Sequence, residues 1–227
     1  MKKLQNIRHF IWDFDGTLFD TYPVVIQNIQ DALEEFGYTA TSLDLMDKLL
    51  ETVDHTLTFY AQQLHLDKNA LYEAYQRHQT ASNKQLKALP MDAVEQALQT
   101  IKCKGCYNYI FTHMPLSSTL AFLDKYDLTK YFTDFVAPET QGFARKPAPD
   151  AILYLINKYA LSKDNTVMIG DRALDLISGK NAGIRTIHYL CKSIPQNLDC
   201  DWRFDNFKDF TKALTPDPPC QKTDETQ

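Results

Sequence analysis

The stretch IWDFDGTLFD, Ile11 to Asp20, decides how this chain is read. An apolar run, His9-Phe10-Ile11-Trp12, leads straight into Asp13-Phe14-Asp15-Gly16-Thr17. A short apolar run closed by a turn signal predicts a buried strand, with Asp13 at its C-terminal end. In an open parallel sheet that edge is where ligands bind. Side chains two apart on an extended backbone share a side, so the Asp13 and Asp15 carboxylates are expected to converge. Like charges that close repel strongly unless a cation, a shared proton or a solvated gap separates them. Such a pair is costly for folding and points to chemistry. The plainer alternative is an acidic turn closed by Gly16.

Working outward, the first strand is expected over Arg8–Asp13. A helix follows over Asp20–Phe36, with Val24, Val25, Ile29, Leu33 and Phe36 in helical period and Gly37 as its stop. Ser42–Thr52, His55–His65 and Lys68–Ser82 read as further helices, and no convincing strand is read between Asp20 and Leu89. From Pro90 helices and strands alternate. Helices are expected over Met91–Lys102, Leu116–Tyr126, Pro149–Tyr159, Ala173–Ala182 and Asn206–Leu214. Strands are expected over Tyr107–Thr112, Asp134–Ala137, Thr166–Ile169, Thr186–Leu190 and Asp201–Phe204. Repeated βα units imply a parallel sheet covered by helices. The Pro- and charge-rich tail, Thr215–Gln227, reads as disordered.

Bulk composition bounds the function. The 227 residues are 44% hydrophobic and 23% charged, ordinary for a globular protein, with a net charge of −5. No long basic run marks a nucleic-acid partner, and no stretch of roughly 18 apolar residues marks a membrane span. The lysine-led N-terminus turns acidic too soon for a signal peptide. Five cysteines, an odd count without a secreted-style framework, fit a reduced, cytoplasmic setting. Cys103 and Cys106 form C-x-x-C, but no second pair follows at zinc-like spacing. Gly105 between them reads as a helix stop.

Three later segments join the first. Tyr109–His113 (YIFTH) is an apolar run ending in the hydroxyl of Thr112. Phe143–Asp150 (FARKPAPD) sets Lys146 in a Pro-rich loop ahead of a helix. Thr166–Asp175 (TVMIGDRALD) is a strand ending in the acidic pair Asp171 and Asp175. In order, spacing and context the four segments resemble the motifs of the haloacid dehalogenase-like (HAD) hydrolase superfamily. The likeness covers nearly the whole chain. The pattern is similar to the phosphoglycolate-phosphatase-like and beta-phosphoglucomutase-like subfamily. The resemblance implies an α/β fold: a Rossmann-like parallel-sheet core from residues 1–21 and 88–214, with an all-helical cap inserted at 22–87 on two hinge linkers.

It also implies a chemistry that the residues can perform. Asp13 is the expected nucleophile, since carboxylates form aspartyl-phosphate intermediates. Asp15 is the expected acid for the leaving group and base for the attacking water. Mg²⁺ takes oxygen ligands, and the resemblance places it on the Asp13 carboxylate, the Asp15 carbonyl and Asp171, with Asp175 in support. Lys146 would offset phosphoryl charge and hold Asp13. Thr112 would donate its hydroxyl and backbone N–H to a phosphoryl oxygen, and His113 could touch substrate. Lys48, His55 and Arg77 are candidate readers of the rest of the substrate. Tyr22 and Phe59 could line the pocket, with core packing as their other reading.

The expected activity is Mg²⁺-dependent hydrolysis of a small phosphorylated metabolite, phosphoglycolate-like or a sugar phosphate. The rival is a beta-phosphoglucomutase-like mutase. Such relatives carry a histidine about twelve residues after the nucleophile, where this chain has Val25. From a different class, the scaffold could bind without turnover. No nucleic-acid or membrane partner is expected, and the chain is expected to act as a monomer or weak homodimer.

Overall fold

The structure is a computed structural model that describes residues 4–49, 52–191 and 197–214. At its centre is β1 (His9–Trp12), flanked in parallel by β4 (Tyr107–Phe111) and β6 (Thr166–Gly170). Outside β4 lies β5 (Phe132–Val136), and outside β6 lie β7 (Arg185–Tyr189) and β8 (Trp202–Phe204). The order β5-β4-β1-β6-β7-β8 is parallel throughout. The chain fills one side of β1 first and then crosses to the other. The carboxyl ends of β1, β4 and β6 therefore meet at a topological switch point, where open α/β sheets bind ligands.

Alternation along the strands explains why both faces are covered. Phe10 and Trp12 point to one side and pack with α5 (Val94–Cys103) and α10 (Phe207–Leu214). Ile11 points to the other and packs with Ala151, Ile152 and Leu155 of α8 (Asp150–Tyr159). Burying a side chain of this size contributes roughly 1.5–3 kcal/mol. The indole N–H of buried Trp12 would cost energy unpaired, and it donates to Asn108 Oδ1 at 2.9 Å. α6 (Leu116–Lys125) and α9 (Ala173–Ala182) complete the helical layers, with a short α7 (Pro138–Gln141) between β5 and α8.

Between β1 and β4 stand α1 (Tyr22–Glu34), α2 (Ser42–Leu49), α3 (Val53–Gln63) and α4 (Lys68–Gln85). They bury Ile29, Leu33, Leu45, Leu57 and Leu71 against one another in a cluster of their own. The sequence reading runs the second of these helices on to Thr52. Thr52 instead caps α3, its hydroxyl accepting the His55 N–H at 3.0 Å. A cap bond satisfies one of the orphan N–H groups of a helix start, and that outweighs continuing the previous helix.

Two features escape a pattern reading. Phe19–Asp20 (β2) and Leu89–Pro90 (β3) pair antiparallel, so the two linkers of the helical insertion are tied together. Two residues are too few to show a period. The C-x-x-C pair is a helix ending: Gly105 has φ +67°, Gly105 N–H bonds Lys102 O at 3.0 Å and Cys106 N–H bonds Ile101 O at 3.1 Å. That is a Schellman stop, and Cys103 and Cys106 are free thiols. The tail 215–227 lies outside the described residues. Among the described residues, no helix is long and apolar enough to cross a membrane.

Candidate active site

The backbone N–H of Asp13, one residue past β1, bonds Ile169 O at 2.8 Å and so keeps the strand's line. This aims a buried carboxylate out of the sheet edge. Lys146 Nζ lies 2.5 Å from Asp13 Oδ1 and 2.8 Å from Asp175 Oδ1, with all three side chains at most 2% exposed. Burial first, then the charge of Asp175, push the Asp13 carboxyl well above its ordinary range. Burial works against the Lys146 charge, yet Asp13 and then Asp175 hold its ammonium above the usual value. The ammonium also sits 4.7 Å from the centre of the Phe111 ring. Asp13 Oδ2 is buried with no hydrogen-bond partner.

The convergence expected of Asp13 and Asp15 does not govern the electrostatics. β1 ends at Trp12, and the chain then turns, with Leu18 and Phe19 N–H both bonding Phe14 O at 3.0 Å. The two-residue period of an extended strand therefore stops before Asp15. The carboxylates that repel Asp13 are Asp175 and Asp171. Asp15 instead lines the open cavity above, where burial raises its carboxyl from the ordinary value.

Asp171 follows β6 directly, and Asp175 lies in the first turn of α9, where its Oδ2 accepts the Arg172 N–H at 3.1 Å. Helix geometry thus fixes the one relative to the other. Asp13, Asp171 and Asp175 can each offer an oxygen with all three atoms within 4.8 Å of one another, and all three are buried. Hard oxygen donors in that number, with one oxygen of Asp13 left unpartnered, fit a Mg²⁺-like cation. Burial above all, with Asp175 adding to it and Arg172 opposing, moves Asp171 up to about 7.

Gly16 makes this closeness possible. Its φ is +74°, and a Cβ there would lie 2.4 Å from Asp171 Oδ2 and 2.4 Å from Tyr22 Cε2. Tyr22 is buried and also lines the cavity, so both of its expected readings hold, and its hydroxyl donates to Asp171 Oδ2 at 2.5 Å. Burial, then Asp171, holds that phenol well above its ordinary value, so it keeps its proton to donate. Arg172 is the other residue the motif reading passed over. It lines the cavity beside Asp171, and the neighbouring Tyr22 and carboxylates keep it charged despite burial. No sequence signal beyond adjacency to Asp171 marks it.

Thr112 corrects one expectation. Its N–H is spent in the sheet, bonding Val136 O at 3.1 Å, because β4 and β5 keep pairing up to this residue. Its hydroxyl oxygen accepts the Met114 N–H at 2.9 Å, which leaves the hydroxyl proton to donate elsewhere. His113 turns its ring towards the lysine loop, where Nε2 accepts the Lys146 N–H at 2.8 Å. Burial first, then Lys146, brings its pKa down to about 2, consistent with a neutral acceptor. It therefore positions the Lys146 backbone while also lining the cavity.

The cavity, about 660 Å³, lies between the sheet edge and the helical insertion, with Asp15, Lys146 and Arg172 on its core side. Lys48, His55, Arg77 and Phe59 are not among the residues lining it. Lys48 stacks over Phe59 at 4.5 Å, and Arg77 pairs with Glu35 at 2.6 Å.

A doubly wound sheet with an acidic cluster and a buried lysine at its switch point defines the class: a hydrolase on a Rossmann-like core. Residues 10–189 match the haloacid dehalogenase-like hydrolase family, and the chain belongs to it. It is similar to a phosphoglycolate phosphatase of Vibrio parahaemolyticus, 26% identical over 189 residues, 79% of this chain and 82% of that one. It is also similar to the pyrophosphatase PpaX of Halalkalibacterium halodurans, 25% identical over 182 residues, 80% of this chain and 82% of that one. A solved HAD family hydrolase of Deinococcus radiodurans, with bound phosphate and sodium, shares the fold. Its TM-score is 0.77 at 17% identity, covering 93% of this chain and 99% of that one.

Proposed function

We propose that this protein is a Mg²⁺-dependent phosphatase that hydrolyses a small phosphorylated metabolite through an aspartyl-phosphate on Asp13. The observation that carries the reading is the Asp13 carboxylate, one oxygen held by Lys146 and the other buried without a partner at the sheet's switch point. A carboxylate oxygen of Asp13 attacks phosphorus, and the bond from phosphorus to the ester oxygen breaks. Asp15, whose raised carboxyl keeps its proton longer than a free one, gives that proton to the leaving oxygen. It then takes a proton from the water that attacks the aspartyl-phosphate, which frees phosphate and restores Asp13. Lys146 offsets charge on the phosphoryl oxygens, and the Thr112 hydroxyl donates to one of them.

Asp13, Asp171 and Asp175, with the Asp15 carbonyl, would hold Mg²⁺, which when bound lets an anionic carboxylate approach an anionic phosphate. The four helices act as a cap that excludes bulk water over the bound substrate. Val25 lines the cavity where the mutase-like pattern calls for histidine, which supports water as the final acceptor. The names of the relatives offer phosphoglycolate and pyrophosphate as starting substrates. The free thiols of Cys103 and Cys106 support a reducing, cytoplasmic setting. Release of phosphate from p-nitrophenyl phosphate should appear with Mg²⁺ and vanish with EDTA, and full activity in metal-free buffer would overturn the mechanism.

A further inference from the structure

The cavity above Asp15 has two walls of opposite character. Its cations, Arg145, Lys146 and Arg172, all come from the core side. The helical insertion contributes the amides and phenols Asn28, Tyr72, Tyr75, Gln76, Gln79 and Asn83, beside an apolar flank that includes Val24, Val25, Leu49 and Val53. Among the described residues, no Lys, Arg or His of the insertion lines the cavity, and the one charged side chain it brings is an acid, Asp54. Resting on the phosphatase reading, we infer that the leaving group is uncharged and polyhydroxylated, a sugar or the ribose end of a nucleoside, rather than a carboxylate or a second phosphate.

The roof begins close to the chemistry. Tyr75 is buried, and its phenol is held above its ordinary value by burial and then by the nearby charge of Asp15. Its oxygen accepts from Gln79 Nε2 at 3.0 Å, so its own proton remains to be donated. A leaving oxygen protonated by Asp15 therefore emerges beneath a phenol and an amide. Amides and phenols both donate and accept, which matches vicinal hydroxyls that do the same. A carboxylate moved there gives up its water and meets no opposite charge on that side, which is costly. On the floor, Lys146 is engaged by Asp13 and Asp175, and Arg172 faces Asp171, Asp175 and Asp13. Arg145 is exposed at the rim.

The test separates substrate class from turnover. Asp13→Asn protein with Mg²⁺ is titrated calorimetrically with a hexose 6-phosphate, a ribonucleoside 5′-monophosphate, 2-phosphoglycolate and pyrophosphate. At least one of the first two should bind tenfold or more tightly than either of the last two, and which of them does so distinguishes sugar from nucleoside. Equal or tighter binding of phosphoglycolate or pyrophosphate overturns the inference, as does failure of every ester to bind. In the unmodified protein, p-nitrophenyl phosphate hydrolysis reports the phosphatase reading by itself. If it fails while the binding order holds, that reading falls and the roof's preference stands. Gln76→Arg, which adds a cation to the roof, should shift kcat/KM towards 2-phosphoglycolate at least fivefold. No shift in a folded variant counts against the inference.

Discussion

Replacing Lys146 by Met keeps an unbranched stem of similar length and removes one buried charge. The ammonium lies 2.5 Å from Asp13 and 2.8 Å from Asp175, and all three side chains are at most 2% exposed. Removing one partner of a buried ion pair costs about 3–5 kcal/mol, and here two carboxylates are left facing each other. The penalty should depend on pH. An unfolded aspartate titrates near 3.8, while the folded Asp13 carboxyl already sits well above that and rises further without the lysine. A raised folded value means the folded state keeps a proton that the unfolded chain releases. That contribution is complete below 3.8 and is lost as pH rises through the folded value, by up to about 1.4 kcal/mol per pH unit. Urea unfolding followed by circular dichroism, in EDTA, should show the variant losing about 3–5 kcal/mol at pH 8 and clearly less at pH 5. A loss below about 1 kcal/mol at pH 8, or an equal loss at both, would refute the view of Lys146 as the counter-charge of a buried acidic cluster.

Three further outcomes follow from the same geometry. Asp13→Asn should lower kcat at least about a thousandfold while the protein still unfolds cooperatively, and a folded variant keeping a tenth of wild-type kcat would remove Asp13 from the nucleophile's role. Gly16→Ala combines a positive φ with a Cβ 2.4 Å from Asp171 and Tyr22; it should cost about 2–4 kcal/mol and weaken Mg²⁺ binding measured by calorimetry, whereas wild-type affinity would contradict the contact. His113, brought down to about 2 by burial and Lys146, contributes stability that is complete above its unfolded value of 6.5 and lost as pH falls below it. His113 by itself therefore contributes a loss of up to about 1.4 kcal/mol per unit between pH 6.5 and 5, against the raised Asp13 and Asp171 carboxyls, which gain over the same range. His113→Gln should remove that contribution, so its stability should fall less, or rise more, than wild type on acidification, and parallel slopes in urea melts would show that His113 does not titrate as argued.

Much of the architecture was legible because its signals are local. Apolar runs ending in Asp13, Thr112 and Asp171 mark buried strands whose C-terminal ends carry chemistry, and helical periods with glycine stops mark what lies between. A run of helices with no strand between Asp20 and Leu89 announces an insertion. Boundaries were less legible, as at Thr52, where a single cap bond decides which helix owns the residue.

The sequence by itself determined the inventory: a parallel sheet, a helical insertion, and the acids and lysine that the sheet edge would bring together. Only the tertiary structure decided which of them face one another. Asp13 is opposed by Asp175 and Asp171 rather than Asp15, because the strand ends one residue earlier and three segments converge through sheet pairing. Tyr22 reaches Asp171 across 149 positions of chain. The insertion turns amides and phenols, not its lysine and arginine, towards the cavity. Side-chain period tells which face of a helix is apolar, but where its polar face points depends on packing between elements distant in sequence, and no local pattern encodes that.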